Sequence, residues 1–303
     1  FEALKTEDAN GNSVAIGYRA LKVQNAGDEA YNVAVGVDAG TSITTGTANT
    51  FVGGLAGDGT DDGTNNTAMG YLALSANCGN DNVAIGKASL QIATGGGNVA
   101  VGKDSGLIVT SGELNTYVGT LSGKDATTGT RNTALGNYSG ASDQNSSGGS
   151  GDDNVWIGHQ AGMKSSSASD NVALGSFAGD AITTGTENVF VGALAGSALI
   201  DASSNVGVGR AALNADTKGT RSTALGNNAL ATQNFTTATN THNTAVGYNA
   251  GLSVTTGLSN TLIGSEAGDA LTTAPYNVAI GHAALTTDTA GERSVAIGYG
   301  ALN

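Results

Sequence analysis

Hydrophobic and polar positions recur along this chain with a period near 17 residues, and the unit they define reads Asn277-Val278-Ala279-Ile280-Gly281. Seventeen close copies run from the one ending at Gly17 to the one ending at Gly298. Steps of 16 (Gly70 to Gly86 to Gly102) and 19 (Gly17 to Gly36) are small variations; steps of 22 (Gly136 to Gly158) and 21 (Gly226 to Gly247) read as loop insertions. A fixed period this short is the signature of a solenoid-like array. The expected organisation is an N-terminal lead-in over 1–11 and a single repeat domain over 12–303, with insertions near 141–153 and 231–242.

Comparing the copies assigns a physical demand to each position. The residue before the glycine is aliphatic in every copy (Ile16, Val35, Met69, Leu135, Ile280), and the residue three before it is always Val or Thr. Side chains two apart share one face of a strand, so these two columns are expected to point into the coil. The residue between them is Ala in eleven copies but Phe51, Tyr117, Trp156, Phe190, Gly207 or Leu262 in the rest. A packed interior resists such volume changes, at about 1–3 kcal/mol per overpacked site, so this column is expected to face outward.

Four residues before the glycine stands Asn in fourteen copies, among them Asn32, Asn82, Asn188 and Asn277, and Ser in three (Ser13, Ser222, Ser294). Stacked in register, these side chains form a structural amide ladder. The glycine itself implies a tight corner or close approach of another backbone. A small residue, Ala or Ser, follows three places later, and then either Gly, as at Gly40 and Gly106, or Leu, as at Leu74 and Leu90. Returning segments such as Ile182-Thr183-Thr184-Gly185 put β-formers before a glycine turn. The expected fold is therefore all-β: a parallel β-roll or β-solenoid of about 17 coils, each with two short strands and two turns. Glycine interrupts every window long enough for a helix.

Composition narrows the reading. With 48 Gly and one Pro, only 12% charged residues and glycines on the repeat period, the chain is an ordered fibrous module rather than a disordered or collagen-like one. A net charge of −13 argues against nucleic acid as a partner. No apolar run is long enough for membrane insertion in this segment. The single cysteine, Cys78, excludes an intrachain disulfide framework. The chain opens on Phe1 rather than Met, and is expected to be a segment of a longer or processed protein.

Candidate chemistry is sparse. His159 and His282 each follow a repeat glycine and are read as surface imidazoles. No catalytic constellation is evident, and the expectation is a non-enzyme without a cofactor. Asp58, Asp61 and Asp62 present oxygens at spacings like those of a calcium loop, but Met69 stands where a closing bidentate Glu is needed, so they are a weak calcium candidate. The stretch from Asp143 to Asp153 reads as a flexible bulge. Thr232 to Thr237 carries an aromatic among polar residues. Phe235, with the outward-read Trp156 and Tyr117, is a candidate receptor contact.

Asn12-Ser13-Val14-Ala15-Ile16-Gly17 and Arg293-Ser294-Val295-Ala296-Ile297-Gly298, each with a small residue three places later, resemble the head repeat of YadA-like trimeric autotransporter adhesins. Lines such as Asn243-Thr244-Ala245-Val246-Gly247 are similar to repeats in bacteriophage tail-fibre proteins. The resemblance covers about residues 12–302 and implies a left-handed parallel β-roll, three chains about a common axis, and an extracellular place on a virion or bacterial surface. The 17-residue step is longer than that family's usual repeat, so binding surfaces need not transfer. The expected function is a structural fibre or adhesin module, a homotrimer that binds a host-surface protein or glycan. The phage setting is preferred over a bacterial adhesin head, and a carbohydrate- or ice-binding solenoid is the other alternative.

Overall fold

The computed structural model describes residues 1–6, 12–27, 29–141 and 149–303. The chain divides into two units, Phe1–Asp153 and Asn154–Asn303. Each is a parallel β-solenoid with a period near 17 residues, and together they hold about 16 turns. No helix occurs among the described residues.

In the first unit the three-residue strands Val14–Ile16, Val33–Val35, Thr50–Val52, Thr67–Met69, Val83–Ile85, Val99–Val101, Thr116–Val118 and Thr133–Leu135 stack in that order, each parallel to the next. Equivalent residues oppose one another without a register shift: Ala84 lies on Ala100 and Ala100 on Tyr117. The second unit repeats this from Val155–Ile157 to Val295–Ile297.

Each coil holds one strand, not the two expected. The reason is backbone conformation on the return path. Coil after coil places residues in the left-handed region two and four after the repeat glycine, as at Asp38 (φ 58°) and Gly40 (φ 59°), and again just before the Asn column, as at Ala48 (φ 57°). Such residues break an extended run into turns. The return segments still bond coil to coil, as in Thr94 N donating to Thr110 O at 2.8 Å, without forming strands. The exception is the insertion near 231–242, where Thr239–Asn240 pairs parallel with Gly219–Thr220. Part of the insertion near 141–153, including Asp143, lies outside the described residues.

The face assignment is the reverse of the sequence expectation. The Ala column points inward, with Ala34, Ala84, Ala100 and Ala279 fully buried; the Val/Thr and aliphatic columns point outward, with Met69 47% exposed. The interior is too narrow for branched side chains from every strand. Large residues enter the Ala column only where the corner four residues after the glycine makes room. Gly40 and Gly57 flank the Phe51 ring, Gly106 and Gly123 flank Tyr117, and Gly179 and Gly196 flank Phe190. A Cβ built on Gly123 would come within 2.4 Å of the Tyr117 ring, and one on Gly162 within 2.3 Å of the Trp156 indole. Where the centre is Ala or Gly and the next coil has no large centre, the corner carries Leu instead: Leu74, Leu90, Leu213 and Leu230 are fully buried. These leucines hold positive φ, as at Leu90 (φ 47°), a strain of about 1–2 kcal/mol that burial of the side chain offsets.

Two polar ladders complete the coil. The repeat glycines stack so tightly that a Cβ on Gly36 would lie 2.3 Å from the Gly53 carbonyl oxygen. In the buried Asn column, the Asn32 carboxamide oxygen accepts from the backbone N (2.9 Å) and side-chain N (3.1 Å) of Asn49, while Asn32 Nδ2 donates to the Gly46 carbonyl at 2.8 Å. Asn82 and Asn188 repeat the pattern on their neighbours. At Asn277 the oxygen accepts from Ser294 N, but its Nδ2 has no partner. At two of the three Ser positions of the ladder, Ser13 and Ser222, a glutamine eleven residues later supplies the missing amide. Gln24 bridges Ser13 and Asn32, and Gln233 bridges Ser222 and Asn243.

Candidate functional site

The residues proposed from the sequence as receptor contacts are interior. Tyr117 and Trp156 are only 1% and 2% exposed, because they belong to the inward column and fill the space their glycines leave. Burial pushes the Tyr117 phenol well up, and its hydroxyl makes no hydrogen bond of good geometry. Phe235 is 7% exposed. It is drawn in by a buried carboxylate: Asp216 Oδ1 accepts from Gly219 N (2.9 Å) and Phe235 N (3.1 Å), while Oδ2 takes a hydrogen bond from Gln233 Nε2 (2.5 Å). The 231–242 insertion thus repairs the ladder at Ser222 rather than presenting an aromatic tip. Its sequence signal is the Ser-to-Gln spacing shared by Ser13/Gln24 and Ser222/Gln233.

The weak calcium candidate does not assemble either. Asp58 accepts from the Ser75 hydroxyl on one neighbouring coil and Asp61 from the Thr44 hydroxyl on the other, so the carboxylates diverge. Burial raises the Asp58 pKa. Among the described residues no three His, Cys, Asp or Glu side chains group closely enough to hold a metal ion.

What the fold presents is the outer face of the sheet. In the first unit every residue of the Val/Thr and aliphatic columns keeps accessible surface, from Val14 and Ile16 to Thr133 and Leu135. In the second, Ile157, Leu225 and Ile263 are 37–40% exposed. Val, Ile, Leu and Met in unbroken file make an apolar stripe that water does not favour. Aromatics extend it on both sides: Tyr31 and Tyr276 before the strand, Tyr71 and Tyr248 after the glycine, each more than half exposed. His159 and His282 sit in that last column and contact Phe177 and Tyr299 on the next coil.

A second feature is a shallow groove of about 350 Å³ in the first unit, bounded by Asp81, Glu113 and Leu114, with Gly96 and Gly97 as its floor. It arises where the 16-residue coils shorten the return turn and one of them carries glycine in place of side chains. Elsewhere the exposed surface is held by coil-to-coil ion pairs such as Arg131 with Asp153, whose carboxyl pKa is lowered by the guanidinium. Exposed pairs of this kind contribute at most about 1 kcal/mol. Compared with known proteins, the chain matches no family model, no curated protein and no solved structure.

Proposed function

We propose that this chain is a non-enzymatic structural fibre module whose copies associate, as a homotrimer, through the outward aliphatic face. The observation that carries the proposal is that face: apolar side chains project from every coil of each unit, where an isolated chain gains nothing from them. The resemblance of the Asn-Ser-Val-Ala-Ile-Gly unit to trimeric adhesin heads and tail-fibre repeats supports an extracellular setting, on a virion in preference to a bacterial surface. In that setting the module is a spacer that holds other parts at a distance and presents its turns to a host-surface protein or glycan. Light scattering coupled to gel filtration tests it: an oligomer is expected, and a stable monomer at micromolar concentration overturns it. Ile85→Asp with Val101→Asp is expected to dissociate the oligomer while leaving the single-chain fold intact, since both residues point outward.

The groove over Gly96 and Gly97 favours a second reading, a carbohydrate-binding solenoid. Its carboxylates offer hydroxyl acceptors and Leu114 an apolar edge. Glycan-array binding lost on Gly97→Asn separates that reading from a purely structural one. The backbone tolerates the substitution, because Asp81 and Leu114 hold positive φ at the equivalent position.

A further inference from the structure

The Val/Thr column poses a question that the fold of one chain does not answer. Both residues are β-branched and occupy the same outward position on the same backbone, so either satisfies the strand. They are nevertheless sorted into tracts. The first unit reads Val14, Val33, then Thr50, Thr67, then Val83, Val99, then Thr116, Thr133. The second has four Val from Val155 to Val206, three Thr (Thr223, Thr244, Thr261), and two Val. Among the described residues none of the seven Thr hydroxyls has a hydrogen-bond partner, whereas Thr94, Thr110 and Thr183 on the return path bond the next coil. The neighbouring aliphatic column shows no such interruption.

We propose that the occupant of this face is a second copy of the same chain, packed parallel so that the Val/Thr columns of neighbouring copies meet coil against equivalent coil, and that the threonine tracts set this register. The inference rests on the association proposed above and adds what specifies it. A hydroxyl taken out of water needs a partner, and Thr opposite Thr supplies one while Thr opposite Val does not. In the first unit a slip of two coils sets Thr against Val at every overlapping position, and so does an antiparallel arrangement with full overlap. The identical repeats could otherwise slide along one another, because a uniform apolar stripe fits at any step. The area is adequate. Eight strands spaced by about 4.8 Å, over a width of roughly 13 Å, give about 500 Å² per copy and about 1,000 Å² per pair from one unit.

The test compares the full chain with a variant in which all seven threonines (50, 67, 116, 133, 223, 244 and 261) are changed to Val. Both carry Cys78→Ser and a spin label at Lys87→Cys, an exposed position beside the stripe. Double electron–electron resonance reads the inter-chain distance, and light scattering reads the mass. The native pattern is expected to give an oligomer with one narrow distance. The all-Val variant is expected to keep the oligomer but spread the distances, with new populations displaced along the axis in steps of about 4.8 Å. An all-Val oligomer that keeps the single narrow distance overturns the register role while leaving the association standing. A native chain that runs as a monomer removes the association itself. Circular dichroism melts of both chains exclude misfolding as the source of any spread.

Discussion

The coil built on Tyr117 and the coil built on Ala84 have the same backbone and opposite ways of filling it. In the first, an aromatic ring enters from the strand, and Gly106 and Gly123 withdraw from the corners. In the second, the strand contributes only a methyl group, and Leu90 fills the interior from the corner despite its positive φ. Strand centre and corner share one lumen, so a large side chain at the centre excludes one at the corner. Neighbouring coils share this exclusion, because Gly106 belongs to the coil before Tyr117 and still touches its ring.

Swapping a corner breaks the comparison most severely. Gly123→Leu places a side chain where the Tyr117 ring already lies and adds left-handed strain, an expected loss of roughly 3–5 kcal/mol by denaturant unfolding. Combining it with Tyr117→Ala recreates the leucine type of coil, so the double variant is expected to be more stable than Gly123→Leu alone. A coupling energy near zero in that cycle rejects the exchange rule. Next in size is the converse deletion. Leu90→Ala leaves a coil with neither centre nor corner filled and is expected to cost about 3 kcal/mol.

The Asn column is common to both kinds of coil and sharpens the comparison by its indifference to them. Asn98 lies between the two: its Nδ2 donates to the Gly112 carbonyl at 2.9 Å, and its oxygen accepts from Asn115 N (3.1 Å) and Nδ2 (3.0 Å). Asn98→Ala leaves those buried groups unpaired, with an expected loss of about 2 kcal/mol in chemical denaturation. An equal loss at Asn171 in the other unit is expected, since its partners repeat the arrangement.

How far the fold is written in the sequence follows from these same residues. The period, the parallel stacking, the Asn column and the crowded glycine are legible because each is a backbone demand repeated in every copy. The inward face is not, because alternation separates two faces without saying which is buried. Aliphatic columns make the tempting choice, and the width of the lumen decides against them. A signal was nevertheless present: every large centre, Phe51, Tyr117, Trp156, Phe190 and Leu262, is followed six residues later by Gly, never Leu. Volume variation at one position accompanied by its inverse at another marks a shared interior. Phe235 was misplaced for a related reason, since its polar neighbours read as loop while Gln233 and Asp216 are buried bonding partners.

A smaller effect separates the ring of Tyr117 from its hydroxyl. The ring fills the lumen, but the hydroxyl is buried without a well-formed hydrogen bond. Tyr117→Phe keeps the packing and removes the unpaired group, so it is expected to stabilise by about 1 kcal/mol in thermal unfolding. A loss of stability would show that the hydroxyl does bond in solution, with the Asn132 side chain as its partner.

The smallest expected effect lies at the outer edge of the corners, where Asp180 adjoins the corner glycine Gly179. Burial raises its carboxyl pKa, the nearby Lys164 ammonium offsets only part of that, and Oδ1 has no partner. A raised pKa means that the folded state holds the proton more tightly than the unfolded state does. The carboxyl therefore stabilises the fold below the ordinary aspartate range and loses that contribution as pH rises through its raised value. Asp180→Asn removes the ionising group, so thermal stability measured from acid to neutral pH should fall less steeply than in the native chain. The gain near neutrality is under about 1 kcal/mol because the side chain is partly solvated. Identical slopes in the two chains would mean that the carboxylate is fully hydrated, and the corner beside Gly179 would then be more open than the one beside Gly123.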